Sequence, residues 1–501
     1  MEVVDAIVVG SGPNGLAAAA TLARAGLTVR VYEAAATLGG GARTEESAPP
    51  GFRYDSCSAV HPLGAGSPLF RSLPLARHGL EWVQPDLALA HPFPDGSAAV
   101  LASDPAETAA SLGPADRAAY LRLIRPFGGH WRQLAADVLR APFAGMPANP
   151  ALTGRFLLTG AAPAALLNRM FHGERARGLL AGLAAHSMAP LTAPGTGGLA
   201  LMFALAAHEV GWPFPRGGSQ AISDALADLI TGLGGRIETG HPVRALDKVP
   251  PARAYLLDTS PSGLAAVAGT MLPPGFAARM TRYRHGPAVF KLDYALSGPV
   301  PWTAEPCRRA GTVHLGASEE EIGSALRRVH RGAAPRPPFL IVAQPSLFDP
   351  SRAPAGQHVL WVYAHVPHDW TGDLTGEIEA QIDRFAPGFR DLVLARRTTG
   401  PSDLALRNAN CVGGDIAGGR TDMGRLLLRP SPTRILAPYS TPNPAVYLCS
   451  SSTPPGPGVH GMCGYHAARA ALRRVFGLRI PAAPGPGPAS APAPADAPER
   501  G

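Results

Sequence analysis

The stretch VVDAIVVGSGPNG, residues 3–15, decides the fold. Residues 3–9 form a short apolar run with β-branched side chains, which is typical of a strand buried inside a parallel sheet. Glycines follow at positions 10, 12 and 15, and residues 14–25 are rich in Ala and Leu and stop at Gly26. A second apolar run, residues 28–32, ends at Glu33. The order predicts a strand, a helix and a second strand.

The glycine spacing in this unit favours a bound dinucleotide. Gly10 permits a tight turn, Gly12 lets the backbone approach a pyrophosphate, and Gly15 lets the helix pack closely on the strand. The free N–H groups at the helix N-terminus attract the pyrophosphate. Glu33 ends the second strand near the spacing at which a carboxylate binds ribose hydroxyls. The predicted cofactor-binding residues here are Gly10, Ser11, Gly12, Pro13, Asn14, Gly15, Glu33 and Ala34.

A second glycine cluster, GGGART at residues 39–44, follows soon after Glu33. A long cofactor needs a second place where the backbone can pass close to it, so the cluster favours FAD over NAD. It adds Gly40, Gly41, Ala42 and Arg43 to the predicted cofactor-binding residues.

Three further segments carry a family resemblance: GFRYD at 51–55, PRGGSQ at 215–220 and LCSSSTPPGPGVHGM at 448–462. With the glycine doublet after the acidic residue, they resemble the superfamily of FAD-dependent amine oxidases, phytoene desaturases and GDP-dissociation inhibitors. The closer resemblance is to its carotenoid and retinoid desaturase-like branch of NAD(P)/FAD-dependent oxidoreductases. Two positions depart from the pattern: Gly41 stands where many relatives carry Arg, and Pro457 interrupts a glycine triplet.

The resemblance implies a role for the last motif and for one upstream residue. A glycine-rich loop that opens the last helix presents N–H groups and the positive end of the helix dipole. At the N1/O2 edge of a flavin these would stabilise the charge that develops when the ring accepts a hydride. Similar proteins place the segment near Val243 beside the adenine. The residues implicated in the loop are Ser451, Gly458, Val459, Gly461 and Met462.

The predicted fold class is α/β, with a Rossmann-like FAD-binding domain that is discontinuous in sequence. We expect it to comprise residues 1–70, 215–285 and 400–479, interleaved with an α+β substrate domain formed by 71–214 and 286–399. Residues 480–501 are rich in Pro, Ala and Gly, which predicts a disordered tail.

Charge and cysteine content predict which partners the protein binds and in which compartment it resides. The net charge is +8, but only Lys248 and Lys291 are lysines and the arginines are scattered, which favours a solvated surface and argues against nucleic acid. The five cysteines form no C-x-x-C pair and no metal-ligand pattern, so we expect no metal, no redox dithiol and a reducing, cytoplasmic location. Residues 178–208 carry no formal charge, yet prolines and glycines interrupt them. They predict a buried element or an apolar cavity wall, and they leave room for peripheral membrane contact.

Catalytic side chains are not identified by the sequence, because hydride transfer needs orientation and exclusion of water more than a titrating group. His460, His61, His186 and Asp415 are the candidates, each with a structural role as the alternative. A second complete dinucleotide fingerprint is missing from the sequence, so oxygen, a quinone or another acceptor would reoxidise the flavin.

The predicted function is an FAD-dependent oxidoreductase that exchanges a hydride between flavin N5 and an apolar, polyene- or isoprenoid-like substrate. Desaturation, saturation and isomerisation all stay open. One alternative is an amine oxidase, whose site needs an aromatic cage; only 6% of residues are aromatic and Tyr465 would supply one wall at most. The other is a non-catalytic lipid-binding protein similar to GDP-dissociation inhibitors, in which the cofactor motifs would be degraded.

Overall fold

A computed structural model describes residues 4–141, 143 and 145–479. The predicted disordered tail, residues 480–501, lies outside the described residues. The strands in the described part of the chain are β1 (Val4–Val9), β2 (Val29–Tyr32), β3 (Thr44–Ser47), β4 (Phe52–Asp55), β5 (Trp82–Val83), β6 (Leu87–Pro92), β7 (Ala98–Leu101), β8 (Phe214–Pro215), β9 (Arg236–Glu238), β10 (Ala252–Leu257), β11 (Ala288–Leu296), β12 (Ala310–Leu315), β13 (Leu340–Ala343), β14 (His358–Val366), β15 (Val393–Thr399) and β16 (Val446–Leu448).

The α-helices in the same part of the chain connect these strands or pack on their faces. They are α1 (Pro13–Arg24), α2 (Pro62–Ala65), α3 (Pro105–Ser111), α4 (Pro114–Ile124), α5 (Trp131–Val138), α6 (Pro150–Gly160), α7 (Ala164–Leu167), α8 (Glu174–Ala185), α9 (Thr196–Glu209), α10 (Gln220–Gly232), α11 (Pro261–Ala268), α12 (Pro274–Thr281), α13 (Glu319–His330), α14 (Thr375–Phe385), α15 (Pro401–Arg407), α16 (Met423–Leu427) and α17 (Met462–Ala471).

The first sheet is parallel and has the order β16-β10-β1-β2-β9. Its central strand β1 is buried on both faces, because side chains alternate along a strand. Ala6 and Val8 face the main core with α1, whereas Ile7 and Val9 face a smaller core with α11 and α12. This explains the continuous apolar run in the sequence, and the sheet confirms the predicted α/β class and Rossmann-like unit.

The second sheet has the order β15-β11-β14-β13-β12-β6-β7 and is antiparallel except between β12 and β6. One face, which includes Leu292 and Val362, packs on α14. The other face, which includes Ile341 and Tyr363, joins the main core shared with the first sheet. The strands of the two sheets come from the segments assigned to the two domains, although the boundaries themselves stay a prediction.

The uncharged stretch 178–208 forms most of α8 and α9, which pack on each other. Both helices are largely buried in the main core, as expected of a core element or cavity wall. Among the described residues, no helix combines the length and hydropathy needed to cross a membrane.

A proline and a glycine set two of the helix boundaries. A 3-10 turn, Arg125–Phe127, that contains Pro126 separates α4 from α5. The last helix begins at Met462, because Gly461 takes a left-handed φ of 68° and caps it. Gly464, in its first turn, has no room for a side chain, since a Cβ there would lie 1.8 Å from the carbonyl oxygen of Asn14 in α1.

Candidate functional site

A cavity of about 740 Å³ opens between the two sheets. Its wall includes backbone from the first β-α turn, the second glycine cluster and the C-terminal glycine-rich loop, together with an apolar and aromatic region. The lining residues at the glycine-rich end include Gly10, Gly12, Pro13, Asn14, Glu33, Ala34, Gly40, Gly41, Arg43, Val243, Asp258, Ser451, Gly458 and Val459. Those at the other end include His186, Met188, Leu199, Phe203, Trp212, Thr312, Ile341, Ala343, Trp361 and Tyr363.

The first turn has no room for side chains at any of its three glycines. Gly10 has a φ of 99°, and a Cβ on Gly15 would lie 2.1 Å from the carbonyl oxygen of Gly10. A Cβ on Gly12 would lie 2.5 Å from a carboxylate oxygen of Asp258. The loop backbone therefore stays bare at the N-terminus of α1, as a cradle for a pyrophosphate requires.

Glu33 is fixed by hydrogen bonds at the end of β2. The N–H and hydroxyl of Ser11 donate to its Oε2 at 2.8 and 2.7 Å, and the N–H of Ala35 donates to its Oε1 at 2.9 Å. These donors hold a buried carboxylate against the cavity, where its remaining lone pairs can accept ribose hydroxyls. Nearby, the ring of Tyr32 packs at a tilt against that of His241, with 4.7 Å between the ring centroids, and both Tyr32 and Val243 line the cavity.

Asp258 is a site residue that sequence reasoning missed. It follows β10, the strand beside β1, and its Oδ2 accepts the N–H of Gly15 at 2.9 Å. Burial raises the pKa of Asp258 to about 7; the Gly15 hydrogen bond opposes the shift and the charge of Glu33 adds to it. The available signal was its place at the carboxyl end of a parallel strand, where α/β folds bind ligands.

The second glycine cluster reaches the first turn. Gly40 has a φ of 55°, and a Cβ on it would lie 3.0 Å from the Cα of Gly12. Arg43 donates from Nε to the carbonyl oxygen of Gly40 at 2.9 Å and also lines the cavity. Gly41 is less constrained, since a Cβ there would make only ordinary contacts with Cys57 at 3.8 Å. Ala42 is fully buried and packs away from solvent.

The C-terminal loop meets the N-terminal half of the chain at the cavity. A Cβ on Gly64 would lie 2.8 Å from the carbonyl oxygen of Val459, and one on Gly461 would lie 2.8 Å from the Cβ of Ala17. Gly458 has a φ of 130°, and Met462 opens α17. Backbone from the two ends of the chain therefore converges on one cavity.

A second missed residue, Arg429, holds this loop in place. Its guanidinium is almost completely buried and donates to the carbonyl oxygens of Ser451 at 2.6 Å and Ala417 at 2.9 Å. It also donates to the carbonyl oxygens of Gly419 and Arg420. The cation thus ties the segment 417–420 to the cavity residue Ser451 by charge-assisted hydrogen bonds.

Two of the catalytic candidates support loops. The Nδ1 of His460 accepts the N–H of Met462 at 3.0 Å, and its carbonyl oxygen accepts the hydroxyl of Ser67 at 2.7 Å. Burial lowers the pKa of His460 to about 4. Asp415 lines the cavity, but both of its oxygens accept backbone N–H groups, and with His285 these keep its pKa low although burial alone would raise it.

The other two candidates line the cavity. His61 bonds through Nε2 to the hydroxyl of Ser219 at 2.7 Å, and burial lowers its pKa to about 4. His186 pairs through Nε2 with the Nε2 of His314 at 2.9 Å, and burial also lowers its pKa to about 4. Both imidazoles are therefore neutral at pH 7.

The aromatic side chains at the cavity come from places that the sequence did not suggest. Phe203, Trp212, Trp361 and Tyr363 line it, and Tyr465 is not among its described lining residues. The sequence allowed one wall at most from Tyr465. Overall aromatic content did not indicate the other residues, because strand alternation concentrates aromatic residues on the inner face of β14.

Comparisons with known proteins agree with this geometry. Residues 8–73 match the family of NAD(P)-binding Rossmann-like domains. A Rattus norvegicus protein, pyridine nucleotide-disulfide oxidoreductase domain-containing protein 2, is 26% identical over 94% of this chain and 93% of its own length. A lycopene-forming phytoene desaturase from Pseudescherichia vulneris is 28% identical over 39% of this chain and 44% of its own.

Among solved structures, wild-type putrescine oxidase bound to putrescine superposes with a TM-score of 0.60 at 15% identity, covering 95% of this chain and 100% of that chain. At this identity the likeness concerns the fold. The family match and relatives indicate a flavin or nucleotide cofactor for the glycine-rich end of the cavity. The chain is similar to members of the superfamily of FAD-dependent amine oxidases and phytoene desaturases, and these likenesses support an oxidoreductase.

Proposed function

We propose that this chain is an FAD-dependent oxidoreductase that exchanges a hydride between flavin N5 and an apolar, isoprenoid-like substrate. One observation carries the proposal: a single cavity has bare glycine backbone at one end and apolar and aromatic side chains at the other. FAD, when bound, would supply N5 as the hydride donor or acceptor.

The residues present fit FAD along the whole glycine-rich end. Glu33 would hold the ribose hydroxyls, the N–H groups opening α1 would hold the pyrophosphate, and Val243 would pack beside the adenine. Gly458 and Val459, from the far end of the chain, would meet the isoalloxazine ring. The side-chain-free space around Gly12 and Gly40 supports this assignment, since a Cβ on either would collide with its neighbours.

The apolar end would orient a hydrophobic substrate and exclude water. The described cavity carboxylates are Glu33 and Asp258 at the cofactor end and Asp415, whose oxygens are occupied by backbone N–H groups. Since a buried ammonium needs a paired carboxylate, this arrangement favours a neutral substrate over an amine. Hydride exchange depends mainly on orientation, so it does not require a charged side chain beside the apolar wall.

An amine oxidase is the second candidate, because the cavity is more aromatic than the sequence indicated. Trp361 and Tyr363 lie edge to face with their ring centroids 5.0 Å apart, and both line the cavity. Such a pair could flank a substrate amine. Oxygen or a quinone is the proposed electron acceptor under both readings.

The test begins with the cofactor. Purified protein is denatured, and the released cofactor is identified and counted by chromatography; we expect one FAD per chain. The holoprotein is then titrated without oxygen against linear isoprenoids, polyenes and amines while flavin absorbance is followed. Bleaching by isoprenoids or polyenes supports the proposal, and bleaching by amines alone replaces it with the second candidate. Protein that stays colourless after incubation with FAD contradicts both.

A further inference from the structure

Four histidines cluster beside the apolar end of the cavity; His186 lines the cavity and is partly buried, and the other three are buried. His91, His314 and His365 lie on strands of the second sheet, and His186 lies at the end of α8. Burial lowers the pKa of His91 and His186 to about 4 and the pKa of His365 to about 3. Burial and the neighbouring histidines hold the pKa of His314 well below its usual range. All four imidazoles are therefore neutral at pH 7, and each carries one N–H.

The position of the proton is fixed in His91. Its Nε2 lies 2.6 Å from the carbonyl oxygen of Ala317, so Nε2 carries the proton and donates. Its Nδ1 is then a bare lone pair, and it lies 3.3 Å from the place that a Cβ of Gly182 would occupy. Among the described residues, this Nδ1 has no hydrogen-bond partner.

The same reasoning fixes His314. Its Nδ1 faces Gly182 at 2.6 Å from the Cβ position and is buried without a described partner. A proton on Nδ1 would leave a buried N–H without an acceptor, and such orphaned donors are rarer in proteins than unpaired acceptors. The proton therefore sits on Nε2, which points at the Nε2 of His186 at 2.9 Å.

Because the Nε2 of His186 accepts this hydrogen bond, neutral His186 must carry its proton on Nδ1. His186 lines the cavity with Phe203, whose ring centroid lies 4.9 Å from that of the imidazole. His186 is only partly buried and lines the cavity, so we place this N–H on the cavity side.

A second donor stands on the same wall. The Oγ1 of Thr312 accepts the indole N–H of Trp212 at 2.9 Å, so its own hydroxyl proton remains available to a ligand. Thr312 and His314 are two residues apart on β12 and share one face of the strand. The cavity wall thus presents donors from His186 and Thr312 among Met188, Leu199 and Ile341, which are apolar.

We propose that this end of the cavity binds an oxygen acceptor, a carbonyl or carboxylate, on an otherwise apolar substrate. His186 donates to it from Nδ1, and His314 is a positioning residue that holds His186 in the donating tautomer. This rests on the proposed function but narrows it: a pure hydrocarbon would leave a buried N–H unpaired and is disfavoured.

The first test compares three ligands of equal chain length: farnesal, farnesene and farnesylamine. Their Kd values are measured on the FAD-loaded protein from the change in flavin absorbance. We expect farnesal to bind about tenfold tighter than farnesene, because only the aldehyde satisfies the donor. Farnesylamine, an ammonium with no acceptor lone pair, should bind no more tightly than farnesene. His186→Phe keeps the ring volume and should reduce the farnesal advantage to about threefold or less.

The second test reads the tautomer directly. In protein labelled with ¹⁵N-histidine, nitrogen chemical shifts distinguish protonated from bare imidazole nitrogens. We expect His186 to be protonated at Nδ1 and His314 at Nε2, assigned by loss of their signals in His186→Phe and His314→Phe. In His314→Phe the Nδ1 proton of His186 should no longer be fixed, and its shifts should move towards those of an averaging imidazole.

These outcomes separate the two proposals. A chain that takes up no FAD contradicts the proposed function, while the tautomer can still be read in the apoprotein. A flavoprotein that binds farnesene as tightly as farnesal, or a His186 protonated at Nε2, contradicts the inference alone. If His186→Phe does not fold, the nitrogen shifts of the wild-type chain, assigned through the His314→Phe spectrum, decide the question.

Discussion

We expect the carboxyl group of Asp258 to make the binding of FAD depend on pH. Its carboxylate adjoins the cradle of the first turn, where a pyrophosphate would bring two negative charges. A phosphate about 4 Å from an ionised carboxylate would be repelled by about 4 kcal/mol at an effective dielectric constant near 20. That repulsion would raise the pKa of Asp258 from about 7 to roughly 10 when FAD is bound. Binding of FAD should therefore be accompanied by uptake of one proton at pH values between these two pKa values.

The size of the effect follows from linkage. Between pH 7 and pH 9 the free protein loses the Asp258 proton and the complex keeps it, so the Kd for FAD should rise about 50-fold. Asp258→Asn keeps an acceptor for the Gly15 N–H, adds a donor for the pyrophosphate and does not titrate. In this variant we expect the Kd to stay flat over the same range.

The assay is FAD titration of deflavinated protein at pH 6.5 to 9, followed by quenching of flavin fluorescence. Asp415→Asn is the matched control, because that buried carboxylate has a lowered pKa and should leave the slope unchanged even if affinity falls. If the Kd for FAD changes equally with pH in the wild-type chain and in Asp258→Asn, the proposed role of Asp258 is refuted, whatever the absolute affinities.

The carboxyl group of Asp258 should also make the free energy of unfolding of the apoprotein depend on pH. The folded-state pKa is raised from 3.8 to about 7, so the folded state binds the proton more tightly and the contribution of this group to stability falls as pH rises between those values. The loss should approach about 4 kcal/mol above pH 7. In urea unfolding of the apoprotein, the free energy of unfolding of Asp258→Asn relative to the wild-type chain should increase by about 4 kcal/mol between pH 4 and pH 8.

Three further outcomes are expected. Gly15→Ala should abolish FAD retention, because its Cβ would lie 2.1 Å from backbone, whereas Gly232→Ala, with open space around it, should retain one FAD per chain by absorbance. Arg429→Met should lower the free energy of unfolding by about 3 kcal/mol or more in urea titration of the holoprotein, because several carbonyl oxygens lose a charged donor. A free energy of unfolding within about 0.5 kcal/mol of the wild-type value would contradict this role. Leu157 and Leu158 are exposed on α6, and we expect this face to mediate any contact with a membrane. The double substitution Leu157→Glu and Leu158→Glu should therefore reduce co-flotation with anionic vesicles, and equal flotation of variant and wild type would exclude this face.

The parts of the site that sequence reasoning reached are those set by local geometry. Gly10, Gly12 and Gly15 are defined by spacing within six residues, and Glu33 by the length of one helix and one strand. Each carries its own physical reason, namely a turn, a close approach or a strand end. The C-terminal loop was reached only through family resemblance, because nothing in residues 448–462 alone indicates that they meet Gly64 and Ala17.

Two contacts of the site join residues that are far apart in the chain. Asp258 bonds to Gly15, which is 243 positions away, and His186 pairs with His314, which is 128 positions away. A lone histidine at the end of an Ala-rich helix carries no sign of its partner. Likewise, the aromatic residues of β14 reach the cavity because of strand alternation and sheet order, so overall aromatic content could not predict them.

Strand order is the information that was lacking. The parallel sheet places β1 between β10 and β2, and β16 beyond β10, so the carboxyl ends of these strands meet at one edge. Gly10, Glu33, Asp258 and Ser450 all follow those strand ends within two residues. Since ligands bind at the carboxyl edge of such sheets, the order alone would have singled out Asp258 as a site residue. An acid beside a pyrophosphate cradle is unexpected on electrostatic grounds, and its raised pKa is the reason we expect binding to be coupled to protonation there.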